Sequence, residues 1–275
     1  MKKITFTKMQ ALGNDAIIID CLKGLPPNPN HFARKVCDRR YGIGADQLLL
    51  LIKSRKADYG VKIYNIDGSE AEMCGNGLRC LGRFLHEHKF TTKKEIQIET
   101  LAGIRTVRMA SRMIDVDMGE PIMKGKDIPV NLSGRVVNRP IRIDTKEFRV
   151  TCLSVGNPHC IIFQEDLTNF PFEKYGPLLE HHSVFPKRAN VSFVNVRGPE
   201  ELEVRVWERG AGETQACGSA ACASAVAGVL NGFTGRSIVV RMPGGKLEVK
   251  WDQEDNHLWL RGPAETVFTG VLEIA

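Results

Sequence analysis

Two segments of the chain place a cysteine directly in front of small residues that open a helical pattern. They are "EAEMCGNGLRC" at residues 70–80 and "ETQACGSAAC" at residues 213–222. The first backbone N–H groups of a helix have no intrahelical partner, and the helix dipole adds positive potential at that end. We therefore expect Cys74 and Cys217 to have lowered pKa values and to exchange protons near neutral pH.

The same helix ends can hold an anion beside each thiol. The amides of Gly75, Asn76, Gly218 and Ser219 would lie in the first turns, where backbone donors bind carboxylates and oxyanions. A glycine after each cysteine lets a ligand approach the backbone closely. The pattern thus predicts a thiol and an anion cradle at both places.

The other six cysteines are predicted to be small core residues, because unpaired cysteine is commonly buried. They are Cys21, Cys37, Cys80, Cys152, Cys160 and Cys222. A zinc site is disfavoured, since the cysteine spacings within the two segments exceed the short steps of common zinc sites. A disulfide between Cys74 and Cys217 is chemically possible but is opposed by a reducing cytoplasm, and its formation would inactivate the protein.

The two cysteine segments belong to an internal repeat with an offset of 143 residues. At that offset "VKIYN" (61–65) lies over "VRVWE" (204–208), and "GND" (13–15) lies over "GNP" (156–158). We predict two related units, residues 1–121 with the tail 265–275 packing on them, and residues 122–264 including the connecting segment.

Duplication suggests pseudo-two-fold symmetry, with the two cysteines facing each other. One thiolate would then remove a proton from a carbon while the opposite thiol donates a proton to the other face, which inverts the stereocentre. The two thiols should titrate as a coupled pair.

Short alternating or β-branched runs dominate both units and predict strands. One helix per unit is expected after the cysteine, and the second of these is so rich in alanine that it should be buried inside a curved sheet. Further helices are predicted near "PNHFARKVCDRR" and "FEKYGPLLEHH". The predicted class is α+β, with a mixed or antiparallel sheet wrapped round a central helix in each unit.

Composition limits the classes of function. The chain has 275 residues, of which 43% are hydrophobic and 25% charged, as in ordinary globular proteins. Its net charge of +6 is spread along the chain, so we expect no nucleic-acid partner. No apolar stretch approaches the length of a membrane span and no signal peptide is recognisable, so we expect a cytoplasmic protein without a membrane partner.

Seven motifs together resemble one family over essentially the whole chain. They are "LGND" (12–15), "GIGADQ" (42–47), "YNIDGSEAEMCGNGLRC" (64–80), "GNPHC" (156–160), "RANVSFV" (188–194), "WERGAGETQACGSAAC" (207–222) and "MPGG" (242–245). As a set they closely resemble the diaminopimelate epimerases, which belong to the pyridoxal-phosphate-independent amino-acid racemases and epimerases. The resemblance implies the duplicated fold of that family and a homodimer.

It also implies reversible conversion of LL-2,6-diaminopimelate to the meso form, in lysine and peptidoglycan precursor synthesis, without cofactor or metal. Cys74 and Cys217 match the acid/base pair of the family. The matching substrate contacts are Asn14, Gln47, Asn65, Gly75, Asn76, Asn157, Asn190, Glu208, Arg209, Gly218 and Ser219. His159 and Glu208 match positions that adjust the cysteine pKa values.

Some positions depart from the family pattern or have a simpler interpretation. Ala16 and Ala220 differ from the usual residues near the pocket, and Phe268 stands where a tyrosine often contributes to the dimer contact. Asn14 and Asn157 have an alternative interpretation as turn residues after glycine, and His159 as a structural histidine.

Two other functions remain open at this point. A proline or hydroxyproline racemase would also use a pair of cysteines as acid and base, but it would leave Glu208 and Arg209 without a role. A non-catalytic binding protein on the same scaffold would need neither thiol.

Overall fold

The computed structural model describes residues 2–274, which form two compact units. The first unit contains the chain up to Asp117 and again from Arg261, and the second is Met118–Leu260. The chain therefore passes between units about four residues before each limit predicted from the repeat.

The first unit contains eight strands and two helices before the chain leaves it, and one further strand after it returns. The strands are β1 (Lys2–Ala11), β2 (Asn14–Asp20), β3 (Gln47–Ile52), β4 (Tyr59–Asn65), β5 (Glu70–Ala71), β6 (Glu95–Thr100), β7 (Gly103–Ala110), β8 (Met113–Asp117) and β18 (Glu265–Ile274). The helices are α1 (Pro29–Cys37) and α2 (Gly75–Glu87).

Apart from its first strand, β9, the second unit has the same kinds of element in the same order as the first. Its strands are β9 (Val136–Ile143), β10 (Lys146–Ser154), β11 (Pro158–Phe163), β12 (Asn190–Gly198), β13 (Glu201–Glu208), β14 (Gly212–Glu213), β15 (Ser237–Met242), β16 (Gly245–Trp251) and β17 (Leu258–Pro263), the last of which ends in the first unit. Its helices are α3 (Phe172–Glu180) and α4 (Gly218–Leu230), with a short 3-10 turn at Gly125–Asp127.

Strand pairing repeats from one unit to the other. In the first unit β2 pairs parallel with β3, β3 pairs antiparallel with β4, and β4 pairs parallel with β6. In the second unit β11 with β12, β12 with β13, and β13 with β15 repeat these three relations. Even the register is kept, because Ala16 lies opposite Gln47 and His159 lies opposite Asn190. The predicted α+β class and internal duplication are confirmed.

Each unit is built round the helix that follows its cysteine. Helix α4 is buried without interruption from Ala220 to Gly228, as its alanine-rich sequence predicts. Helix α2 approaches its sheet closely at Gly82, where a Cβ atom would lie 2.7 Å from Cγ1 of Val107. Small side chains thus allow the strands to wrap tightly round both helices.

The six cysteines that were predicted to be core residues are buried: Cys21, Cys37, Cys80, Cys152, Cys160 and Cys222. Burial raises the pKa of the Cys80 thiol to about 12 and that of Cys37 to about 12. Thiols with such pKa values are protonated at neutral pH and therefore react poorly as nucleophiles or bases.

The connecting segment and the C-terminal tail both contain a strand that the sequence did not predict. Strand β9 pairs antiparallel with β10, and β18 pairs antiparallel with β1. Each therefore extends the sheet of its unit at the corresponding place.

None of the helices in residues 2–274 is both long and apolar enough to cross a membrane.

Candidate active site

Cys74 and Cys217 occupy the same structural position in the two units. Each is the N-cap residue of a helix of 13 residues, with φ/ψ of −142°/113° at Cys74 and −130°/113° at Cys217. Extended backbone at the N-cap turns the side chain back toward the first helical amides. The predicted location of both thiols at helix N-termini is confirmed.

Cys74 is partly exposed and has polar neighbours. The Gly77 N–H group donates to its Sγ over 3.3 Å, and Sγ lies 3.9 Å from Oδ1 of Asn14, a distance at which a thiol can donate. The first intrahelical bond is donated by Leu78 to the Cys74 carbonyl. The amides of Gly75 and Asn76 come before it, in the part of the helix where an anion can be held.

Cys217 is buried and lies beside the Glu208 carboxylate. Burial raises the pKa of its thiol well above the usual range, and the negative charge of Glu208 raises it further, while the Ser219 hydroxyl, 3.4 Å from Sγ, acts in the opposite direction. The expectation of a lowered pKa was therefore wrong for Cys217. The helix end is present, but burial and the carboxylate outweigh it.

The helix that begins after Cys217 has the same first turn as its counterpart. Ala221 donates the first intrahelical bond to the Cys217 carbonyl over 3.0 Å. Gly218 and Ser219 precede that bond, as the predicted anion donors must.

Gln47 and Asn65 lie on adjacent strands in the first unit and form a hydrogen-bonded pair. Nε2 of Gln47 donates to Oδ1 of Asn65 over 3.1 Å, and Nδ2 of Asn65 donates to Ser69 over 3.0 Å. Oε1 of Gln47 is buried and has no hydrogen-bond partner among residues 2–274. Gln47 therefore retains an acceptor that a bound ammonium or hydroxyl group could satisfy.

Asn190 is buried, and its side chain makes hydrogen bonds to the backbone of the second unit. It is 3% exposed, its Nδ2 donates to the Pro158 carbonyl over 3.1 Å, and its Oδ1 accepts from the Arg209 amide over 3.0 Å. The Arg209 side chain is exposed, and its Nη1 donates to the Lys187 carbonyl. Asn190 thus fixes the backbone from which Arg209 extends.

His159 is fully buried beside Asn157, with 2.8 Å between its Nε2 and Oδ1 of the asparagine. Burial lowers the pKa of His159 to about 3, and the charge of Arg209 acts in the same direction. The ring is therefore neutral at physiological pH. It can influence its surroundings through hydrogen bonds but carries no charge that would stabilise a thiolate.

Glu208 accepts a short hydrogen bond from Thr214 and is held in place by a residue that sequence reasoning missed. Glu180 is 3% exposed and accepts from the Trp207 indole over 2.9 Å and from the Gly210 amide over 3.0 Å. It therefore fixes both ends of the turn that carries Glu208 and Arg209. The repeat offered a signal for Glu180 in the sequence. At the offset of 143 residues Glu180 corresponds to Cys37, so a charged residue takes the place of an apolar one.

Sequence reasoning also missed an ion cluster around Asn14. Nδ2 of Asn14 donates to the Asp46 carboxylate over 2.9 Å. Arg39 joins Asp46 to Asp15, and Lys8 pairs with Asp15. The motifs "GND" and "GADQ" contain Asn14, Asp15 and Asp46, but the contacts between these residues depend on the pairing of β2 with β3.

Phe268 lies on β18, 47% exposed, with its ring in an edge contact with Phe6 at a centroid distance of 5.8 Å. The Phe268 ring thus packs against Phe6 of the same chain, while part of the side chain is exposed to solvent.

Comparison with known structures supports the fold. A phenazine biosynthesis protein of the PhzF family from Bacillus anthracis superimposes with a TM-score of 0.73 at 17% identity, covering 100% of both chains. A hydroxyproline epimerase from Agrobacterium vitis, with bound trans-4-hydroxy-L-proline, superimposes with a TM-score of 0.72 at 14% identity, covering 98% of this chain and 92% of its own.

Sequence comparison is more specific. A diaminopimelate epimerase of Acetivibrio thermocellus is 47% identical over 275 residues, covering 98% of both chains. One from Methanococcus maripaludis is 48% identical over 276 residues, covering 98% of this chain and 99% of its own. The sequence model of the family described as diaminopimelate epimerase matches residues 6–124 and 151–267. The chain belongs to the diaminopimelate epimerase family.

Proposed function

We propose that this protein is an isomerase that interconverts LL-2,6-diaminopimelate and meso-diaminopimelate, a step in the synthesis of lysine and of peptidoglycan precursors. The observation that carries the proposal is family membership, with relatives of that name matching over nearly the whole chain. Two cysteines at equivalent helix N-termini supply the acid and the base that inversion at carbon needs.

In the proposed reaction one sulfur, as thiolate, takes the α-proton, and the other, as thiol, delivers a proton to the opposite face of the carbon. No cofactor delocalises the negative charge, so the site must stabilise it electrostatically and exclude water. The first-turn amides of Gly75, Asn76, Gly218 and Ser219 would hold the reacting carboxylate. The raised pKa of Cys217 supports a resting state in which the Cys217 thiol is protonated and can act as the proton donor.

The distal end of the substrate carries a second ammonium and a second carboxylate. We assign Glu208 to the ammonium and the exposed guanidinium of Arg209 to the carboxylate, which a planar fork binds in bidentate fashion. Asn14, Gln47, Asn65, Asn157 and Asn190 complete the proposed contacts, with Asn190 acting through the Arg209 backbone. A ring substrate such as hydroxyproline has no distal end and would leave these charges unused.

The test is solvent exchange in heavy water with reduced enzyme. Deuterium should enter the α-carbon of diaminopimelate, and trans-4-hydroxy-L-proline should not exchange. Cys74→Ala and Cys217→Ala should each lower epimerisation by at least about 100-fold, since a general acid or base contributes that much.

Cys222→Ala is the matched control, because Cys222 lies on the same helix as Cys217 between alanines and should retain activity. Absence of deuterium at the α-carbon with wild-type enzyme would refute the proposed reaction. Exchange that survives both active-site cysteine variants would refute the assigned roles.

We also propose that the protein is a cytoplasmic homodimer that pairs through strand β18. Val267 and Val271 lie on this strand and are 55% and 59% exposed. Phe268, on the same strand, is 47% exposed. An apolar strand surface of this kind is better covered by a second copy than left in water.

A further inference from the structure

Asn14 lies between a carboxylate and the Cys74 thiol. Its Nδ2 donates to Oδ2 of Asp46 over 2.9 Å, and its Oδ1 lies 3.9 Å from Sγ of Cys74. An ionised carboxylate can only accept hydrogen bonds, so the nitrogen of the amide must face Asp46. The orientation of the Asn14 amide is therefore determined by chemistry, and its oxygen faces the thiol.

The Asp46 carboxylate is itself held from several directions. Nη2 of Arg39 lies 2.8 Å from its Oδ1, and the Asp15 amide donates to its Oδ2 over 3.1 Å. The backbone of Asp46 donates in return to Oδ1 of Asp15 over 2.9 Å. Such charge-assisted contacts keep a side chain in one position more firmly than neutral hydrogen bonds do.

A second carboxylate completes the cluster. Arg39 binds the Asp15 carboxylate in bidentate fashion, with Nη1 donating to Oδ2 over 3.0 Å and Nη2 donating to Oδ1 over 2.8 Å. Nζ of Lys8 lies 2.7 Å from Oδ2 of Asp15. Burial opposes ionisation of Asp15, but the hydrogen bonds from Arg39 and Lys8 prevail and hold its pKa well below the usual range. Asp15 is therefore ionised at neutral pH.

The second unit does without this cluster. At the repeat offset, Ala189, Pro158, His182 and Thr151 replace Asp46, Asp15, Arg39 and Lys8. Yet the corresponding strands pair in the same register in both units. The fold therefore does not require the Asp46 carboxylate, and its presence in one unit alone points to a role in the half-site of Cys74.

The orientation of Asn14 decides which group it can meet. Its oxygen can accept a proton donor, such as the Cys74 thiol or a substrate ammonium group, and it repels a carboxylate. We propose that Asp46 is a positioning residue for epimerisation, holding the Asn14 amide so that its oxygen faces the thiol and the amino group of the substrate. This inference rests on the proposed function, but its first test does not.

The first test observes the Asn14 side chain in protein labelled with ¹⁵N-asparagine, the Asn14→Asp variant serving to assign its NH₂ resonance. In Asp46→Ala, which copies Ala189, and in Asp46→Asn, whose amide can donate or accept, the Asn14 NH₂ group should shift. Its hydrogen exchange with solvent should accelerate at least about tenfold, because the bond to a charged acceptor is lost.

The second test is kinetic. Both Asp46 variants should lose about 10- to 100-fold in kcat/KM for diaminopimelate, the range expected for a lost hydrogen bond to a charged group. The loss should appear in kcat as well as KM, because the thiol contact is disturbed along with binding. Asp58→Asn is the matched control, since it removes a carboxylate paired with Lys93 elsewhere in the same unit and should leave both parameters unchanged.

Unchanged Asn14 resonances in the Asp46 variants would overturn the proposal, and so would reduced turnover without any change at Asn14. If wild-type enzyme fails to epimerise diaminopimelate, the proposed function fails, while the resonances still decide whether Asp46 orients Asn14. Should the Asp46 variants not fold, Arg39→Gln removes the cation that anchors Asp46. It should move the Asn14 resonance in the same direction, and an unmoved resonance there would contradict the proposal.

Discussion

At the scale of single residues, the two cysteines share a backbone geometry and differ in burial. The potential at a helix N-terminus is worth up to about 2 kcal/mol, or roughly 1.5 pKa units. Full burial can shift a pKa by about 3 to 5 units in the opposite direction. Cys217 is 7% exposed and faces Glu208, so burial and repulsion prevail over the helix end.

The role of Glu208 can be tested on the free enzyme. The Glu208 carboxylate raises the pKa of Cys217, so Glu208→Gln should lower that pKa and make the thiolate available at lower pH. The rate of alkylation of Cys217, followed by mass spectrometry of its peptide, should therefore have its pH midpoint at a lower value than in wild type.

Glu213→Gln is the control, because Glu213 is paired with Arg205 on the neighbouring strand. It should leave the midpoint of Cys217 close to that of wild type. A midpoint in Glu208→Gln that is unchanged or higher would contradict the electrostatic role of Glu208.

The positions of the thiols could be predicted from sequence because a cysteine before glycine at a helix start is a local pattern. The protonation of Cys217 could not, because it depends on burial and on Glu208, which reaches the sulfur from another strand. The hydrogen bond between Asn14 and Asp46 could not be predicted for the same reason, because it requires strands β2 and β3 to be paired.

At the scale of elements, the four predicted helices are all present, as α1, α2, α3 and α4. Strands β9 and β18 were not predicted. Strand β9 contains Pro140 and has Asn138 at a φ of 51°, features that weaken a strand pattern. Strand β18 is stabilised by β1 at the opposite end of the sequence, and no local signal reveals such a partner.

One contact between a helix and a strand leads to a stability prediction. A Cβ atom on Gly176 in α3 would lie 2.7 to 2.8 Å from three atoms of the Trp207 ring. Overpacking of this kind costs about 1–3 kcal/mol, while alanine gains roughly 1 kcal/mol over glycine in a helix. Gly176→Ala should therefore lower the free energy of unfolding by up to about 2 kcal/mol, measured in urea.

Activity should also fall in Gly176→Ala, because Trp207 directly precedes Glu208. Gly198→Ala is the control, since no atom lies within 4 Å of its Cβ position, and its stability should stay close to that of wild type. An equally stable, fully active Gly176→Ala protein would mean that the ring can move without consequence.

At the scale of the whole molecule, the repeat made the duplication predictable. Polar as well as apolar positions match at one offset, and the structure repeats the strand pairing at the same offset. Some polar positions nevertheless differ between the halves: Asn65 corresponds to Glu208, and Asp46 corresponds to Ala189. The scaffold and the two cysteines thus repeat between the units, while Glu208 and Asp46 each occur in one unit alone.

The proposed dimer can be tested without disturbing the fold. Replacing both Val267 and Val271 by lysine puts charges on the exposed face of β18 and should convert the dimer to monomer, as measured by sedimentation. Phe268 is less suitable, because its ring also packs on Phe6. Leu101→Lys, at another exposed position of the first unit (65% exposed), should leave the assembly intact.

A dimer that persists in the double lysine variant would place the interface elsewhere. A wild-type protein that sediments as a monomer would refute the homodimer itself.

The pairing of β1 with β18 also affects how the chain folds during its synthesis. Domains generally fold as units, in order from the N-terminus, while the ribosome elongates the chain. Here the first unit lacks its last strand until residues 265–274 have been made, whereas the second unit is continuous from Met118 to Leu260. The second unit can therefore be complete before β18 has been synthesised to pair with β1. A pause or premature stop before residue 265 would leave the unit that carries Cys74 without this strand.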